Sequence, residues 1–166
     1  MALSGSTLFM KGLRRLCETG TNRIDWDDAT QNIKAMLISD GFPQPAAEAD
    51  IDALQTLADT VSNGGSLSSK RVAGTTDQVV GGTSRGFTED TTGNELECTA
   101  NPAALPDWTA VATGANCRGI VIYREVSAAD ASRYVLCFLK FSADLPTNGS
   151  NIRVTLAAEG AFKISY

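Results

Sequence analysis

The chain has 166 residues, 43% of them apolar, and contains no histidine. This length suits one domain over residues 1–166, burying roughly two thirds of its unfolded surface, so folding requires no disulfide or metal staple. A net charge of −5 disfavours a nucleic-acid binder built on a basic stripe, and no apolar run reaches the ~20 residues of a membrane span.

The opening Met1 to Thr7 has neither a basic segment nor a long apolar one, so it does not read as a secretory signal, and folding in the cytosol of the producing cell is expected. Residues 1–20 read as an N-terminal arm and a short helix. Phe9, Leu13 and Leu16 recur at helical spacing, Ser6 or Thr7 suits the cap, and Gly20 the stop. The spacing predicts a helix from about residue 7 to about 17. Its basic residues, Lys11, Arg14 and Arg15, read as a solvated face or, alternatively, as an anchor for an acidic partner. Ile33 to Ser39 is apolar, too short for a good helix and bounded by polar loops, which predicts a buried strand. Between Ala46 and Val61, apolar residues recur every three or four positions behind Glu48, Asp50 and Asp52, the pattern of an amphipathic helix.

Residues 66–97 are rich in Gly, Ser, Thr and charge. They read as a variable, loop-rich region of short strands and exposed turns, suited to facing a partner. The last third carries the strongest strand pattern: Gly119–Arg124, Arg133–Phe141, the alternating Ile152–Leu156, and Ala161–Tyr166. Four strands joined by turns predict an antiparallel sheet. The expected fold class is therefore mainly β, an antiparallel β-sandwich or barrel-like fold with one or two short α-helices.

Residues that carry catalysis in familiar arrangements are sparse. Without histidine there is no Ser-His-Asp or Cys-His pairing, and no phosphate-binding glycine loop is present. Cys17, Cys98, Cys117 and Cys137 lack metal-ligand spacing. They read as small buried hydrophobes, with a disulfide in the mature protein as the alternative. Asp25, Asp27 and Asp28, and Asp50 with Asp52, read as solvated turn residues rather than a calcium loop. Asn148-Gly149-Ser150 reads as a tight turn. Trp26 and Trp108, each beside an aspartate, suit core-edge packing or a contact with a neighbouring subunit. No enzyme activity, metal or cofactor is expected.

Three segments near the front, Lys11-Gly12-Leu13, Ile24-Asp25-Trp26 and Ile33 to Ile38, resemble a family of small virion proteins of tailed bacteriophages. So do Gly119 to Tyr123, Leu136 to Phe141, Pro146 to Val154 and Gly160 to Ile164. The resemblance covers roughly the first forty and the last sixty residues. It implies a cement (decoration) protein on the outer surface of the capsid in the virion. Such a protein is often a homotrimer, bridges neighbouring copies of the major capsid protein, and contacts neither nucleic acid nor membrane. Leu3, Leu8, Phe9, Trp26 and Trp108 are the expected interface residues, together with the 66–97 loops. The alternatives are a tail or fibre component that binds the host surface, and a depolymerase using a carboxylate pair such as Asp25 and Asp27.

Overall fold

The segments densest in apolar side chains form the middle of the larger of two sheets. The computed structural model describes residues 3–8, 10–20, 23–40, 70–80, 84–93, 95–101, 105–127, 133–156 and 162–165. In chain order the elements are β1 (Leu3–Leu8), helix α1 (Met10–Cys17), β2 (Ile33–Ser39), β3 (Gln78–Val79), β4 (Ser84–Asp90), β5 (Glu95–Asn101), β6 (Asn116–Glu125), β7 (Arg133–Pro146) and β8 (Phe162–Ser165). One sheet runs β1-β7-β6-β2-β3 and the other β4-β5-β8. Every pairing is antiparallel. The protein is thus mainly β with one short helix among the described residues, as the strand pattern of its sequence led us to expect. No helix of the described residues is long and apolar enough to cross a membrane.

Strands β2, β6 and β7 are buried on both faces, which is why they read as near-continuous apolar runs rather than alternating ones. Directly opposed residues share a face. Ala35 opposes Ile122, Leu37 opposes Ile120, and Cys137 and Leu139 of β7 complete that face. It merges into one core cluster with Cys98 and Ala100 of β5, Phe162 of β8, and the loop residues Trp26, Trp108 and Val154. Two sheets sharing one core make a sandwich. On the opposite face Met36, Val121 and Phe138 align across the strands and are buried as well. Close backbone approach is built into the sheet. A Cβ on Gly119 would lie 2.3 Å from the Leu139 carbonyl oxygen, and one on Gly12 would lie 2.3 Å from that of Leu136, where α1 lies against β7.

The strand expected over Ile33–Ser39 is β2. The helix starts three residues later than its periodicity predicts, because Leu3–Leu8 pairs with β7 as a strand instead. The expected run of four consecutive strands at the end of the chain needs correction. β6 and β7 pair with each other, but Ile152, Val154 and Leu156, though buried between exposed neighbours, turn to residues 105–111. Ile152 and Trp108 exchange backbone hydrogen bonds of 2.8 and 3.0 Å, and Val154 accepts one from Leu105 at 3.1 Å. β8 pairs with β5 in the second sheet. Alternation dictates which face is buried, not which strand lies alongside. The helix expected over 46–61 lies outside the described residues.

Candidate functional site

The loop-rich region is organised by one buried cation. Arg85 on β4 donates from Nε to the Trp26 carbonyl (2.8 Å), from Nη1 to that of Val80 (2.8 Å), and from Nη2 to those of Asp28 (2.6 Å) and Gln31 (3.0 Å). Four of its five N–H groups thus hold backbone carbonyls, and the guanidinium lies 6.0 Å from the Trp26 ring. Burial lowers its pKa below the ordinary arginine value, with Asp28 acting in the opposite direction. Trp26 in turn donates its indole N–H to the Thr99 carbonyl at 2.8 Å and meets Phe162 edge-on at 5.5 Å. The 23–32 loop is therefore tied to both β5 and β8.

Outside this clamp the same region presents apolar side chains to solvent. Phe87, in the middle of β4, is 42% exposed, and Val79 on β3 is 48% exposed. Both lie on the outermost strands of their sheets. At the tip of the β4–β5 hairpin the carboxylate oxygens of Asp90, Glu95 and Glu97 lie within 4.8 Å of one another. Asp90 Oδ1 also accepts the N–H groups of Thr92 and Gly93 at 2.9 and 3.1 Å, forming the turn.

A second concave region flanks the ribbon formed by residues 105–111 and 147–153. One cavity of about 180 Å³ is lined by Thr75, Thr76, Gln78 and Asp107–Thr109. Another of about 320 Å³ lies along Leu145 to Arg153. Asp107 and Arg153 join across the ribbon in a two-pronged ion pair of 2.7 and 3.1 Å. The hydrogen bonds from Arg153 hold the Asp107 carboxyl below its usual range. Ala110, at φ 48°, is the non-glycine residue with positive φ among the described residues. Its N–H is held by Asn151 Oδ1 at 3.0 Å. The buried Trp108 Nε1 has no hydrogen-bond partner among the described residues.

A third polar cluster lies on the far face of the larger sheet. Tyr123 donates its hydroxyl to Asp77, which also receives Arg71 Nε and Nη2 at 2.9 and 2.6 Å. Lys34 and Arg133 both pair with Glu125. Burial and the bond to Asp77 raise the Tyr123 pKa. These carboxylates are each matched by a cation. The carboxylate pair envisaged for a depolymerase is not set apart either, since Asp25 pairs with Arg23.

The residues expected at an interface fall in different places. Leu3 and Leu8 are in β1, opposite Phe141 and Cys137, so this part of the arm is a strand of the chain's own sheet. Phe9 lies outside the described residues. Trp26 and Trp108 are 0% and 2% exposed, which places both indoles in the chain's own core rather than at a surface contact. Phe87 and Arg85 were not anticipated individually, although both fall in the segment marked as partner-facing. Cys17 is exposed, while Cys98, Cys117 and Cys137 are buried free thiols. Burial pushes the first two of these three up to about 12. No protein-family model, curated protein or solved structure matches this chain.

Proposed function

We propose that the chain is a cement protein of a tailed-bacteriophage head, binding the outside of the shell and bridging neighbouring major capsid subunits. The observation that carries this reading is the exposed apolar pair Val79 and Phe87, set on the outer strands of two sheets that share one core. Exposed apolar side chains carried on outer strands suit docking onto other subunits. The segments behind the family resemblance, including Ile24-Asp25-Trp26, β2, β6 and β7, supply much of that core.

The mechanism is linkage. A protein that binds the assembled shell and not its separated subunits stabilises the shell by about 2.7 kcal/mol per site at a free concentration 100 times its dissociation constant. Many weak contacts on one particle add through avidity. The two cavities flanking the 105–111 and 147–153 ribbon favour a second reading, a tail or fibre component that binds the host surface. Adding purified protein to heads and tails that lack it separates the two. Saturable binding to heads, with a higher temperature of genome release, is the expected result. Binding to tails alone transfers the assignment to the second reading, and binding to neither removes both.

A further inference from the structure

We propose that the smaller cavity, between residues 74–78 and Asp107–Thr109, is a binding site for a single neutral sugar residue, held by hydrogen bonds to its hydroxyl groups. This rests on the second reading above, binding to the host surface, and names its ligand class. Three observations meet at residues 107–110. The cavity, of about 180 Å³, is walled mainly by polar groups, from Thr75, Thr76, Gln78, Asp107 and Thr109. Trp108, 2% exposed, belongs to the same wall, and its Nε1 is a buried donor with no acceptor among the described residues. Native proteins leave few such groups, and a partner from outside the chain accounts for this one. Two residues on, Ala110 holds φ 48°, a conformation that strains a residue other than glycine, and strain of this kind gathers at binding sites.

The chemistry of the wall selects the ligand. Asp107 is its charged residue, and a carboxylate repels an anion. Both carboxylate oxygens are already bonded to Arg153, at 2.7 and 3.1 Å, and the other wall groups are neutral, a poor set for a hard cation. A carboxylate offers about four lone-pair positions, so two remain for hydroxyl donors. The bonds from Arg153 also favour the ionised form, which only accepts. Thr75 donates its hydroxyl to the Val72 carbonyl at 2.7 Å and keeps its acceptor positions. Gln78 Nε2 donates to the Thr76 carbonyl at 3.3 Å, which leaves Oε1 to accept. Thr76 and Thr109 are exposed, and their hydroxyls can donate or accept. Acceptors therefore predominate, beside one donor that lacks an oxygen. A ligand that meets both brings several hydroxyl groups and no charge. The volume lies below the ~300–1,000 Å³ of drug-sized sites and suits one sugar ring.

The two tryptophans make the test direct, because each gives one indole N–H signal in a proton–nitrogen correlation spectrum. Trp108→Phe deletes one signal and so assigns both. The probes are the methyl glycosides of glucose, galactose, mannose and N-acetylglucosamine, each titrated to about 50 mM, which covers the millimolar affinities expected of so small a ligand. At least one is expected to shift the Trp108 signal saturably while the Trp26 signal, from an indole held by Thr99, stays in place. Thr76→Tyr fills the cavity from its exposed side, and Asp107→Asn puts a donor where an acceptor is needed. Each should weaken binding at least tenfold, with the Trp26 signal at its wild-type position as the check on folding. A Trp108 signal that no glycoside moves overturns the proposal, the indole then facing an ordered water only. So does a shift that either variant retains in full. The titration uses neither heads nor tails. A chain that binds tails but no glycoside loses this inference alone, and one that binds a glycoside but only heads loses the second reading alone.

Discussion

Arg85 positions a loop it does not belong to, and Trp26 shows what that positioning is for. Removing a buried donor that serves several carbonyls strands all of them, because an unpaired buried polar group loses its hydration without compensation. The two tryptophans offer an internal comparison. Both are buried, but Trp26 donates its indole N–H to Thr99 whereas Trp108 Nε1 has no partner among the described residues. Trp26→Phe and Trp108→Phe remove the same volume, but only the first breaks a hydrogen bond and leaves a carbonyl unserved. Urea denaturation should therefore show Trp26→Phe to be the more destabilising by about 1–3 kcal/mol. Equal losses would mean that the bond carries no net stability. Little of this was legible in advance. An arginine in a stretch rich in glycine, serine and threonine has no periodicity to mark it as buried. The tryptophans, each beside an aspartate, suited either core-edge packing or a subunit contact, and at Trp26 the polar neighbours stay in the loop while the indole turns inward.

At the level of elements, what could be read from sequence was apolar density. β2, β6 and β7 stand out because burial on both faces leaves no polar positions to interrupt them. β1 does not stand out, since Leu3-Ser4-Gly5-Ser6-Thr7-Leu8 is held by pairing with β7, a contact across more than a hundred positions that no local pattern records. β8 and the 152–156 segment show the same limit. Their alternation was legible and their partners were not. Glycine carries part of the packing in the larger sheet. Gly119 lets β6 and β7 approach to a distance that a Cβ would turn into a clash with main chain and with Phe138 Cε2 at 2.8 Å. Since backbone cannot swing aside as a flexible side chain does, Gly119→Ala should destabilise the fold by about 2–3 kcal/mol. Thermal melting with calorimetry would measure this, and an unchanged melting temperature would show that the strands have room to separate.

For the molecule as a whole, the absence of histidine leaves no side chain of ordinary pKa to change charge between pH 5 and 8. Acid is different. Asp28 is held below the ordinary carboxylate value by hydrogen bonds from Thr30, Asp107 by those from Arg153, and Asp144 by those from Arg118. A carboxyl so held binds fewer protons folded than unfolded. Its contribution is therefore complete above the unfolded value and is lost as pH falls through the folded one. The urea midpoint should stay level from pH 8 to 5 and fall below about pH 4. Asp107→Asn should make that fall shallower, most visibly at low salt because the pair is solvent-exposed. A midpoint that drops between pH 7 and 5 would contradict this assignment. The pairing order has a further consequence for synthesis. The first strand waits for a partner at residues 137–141, and β5 for one at 162–165, so neither sheet is complete until nearly all 166 residues have been translated. Until those late residues have been made, the early strands of such a nascent chain lack their partners, which ties its yield in the producing cell to how well they are shielded meanwhile.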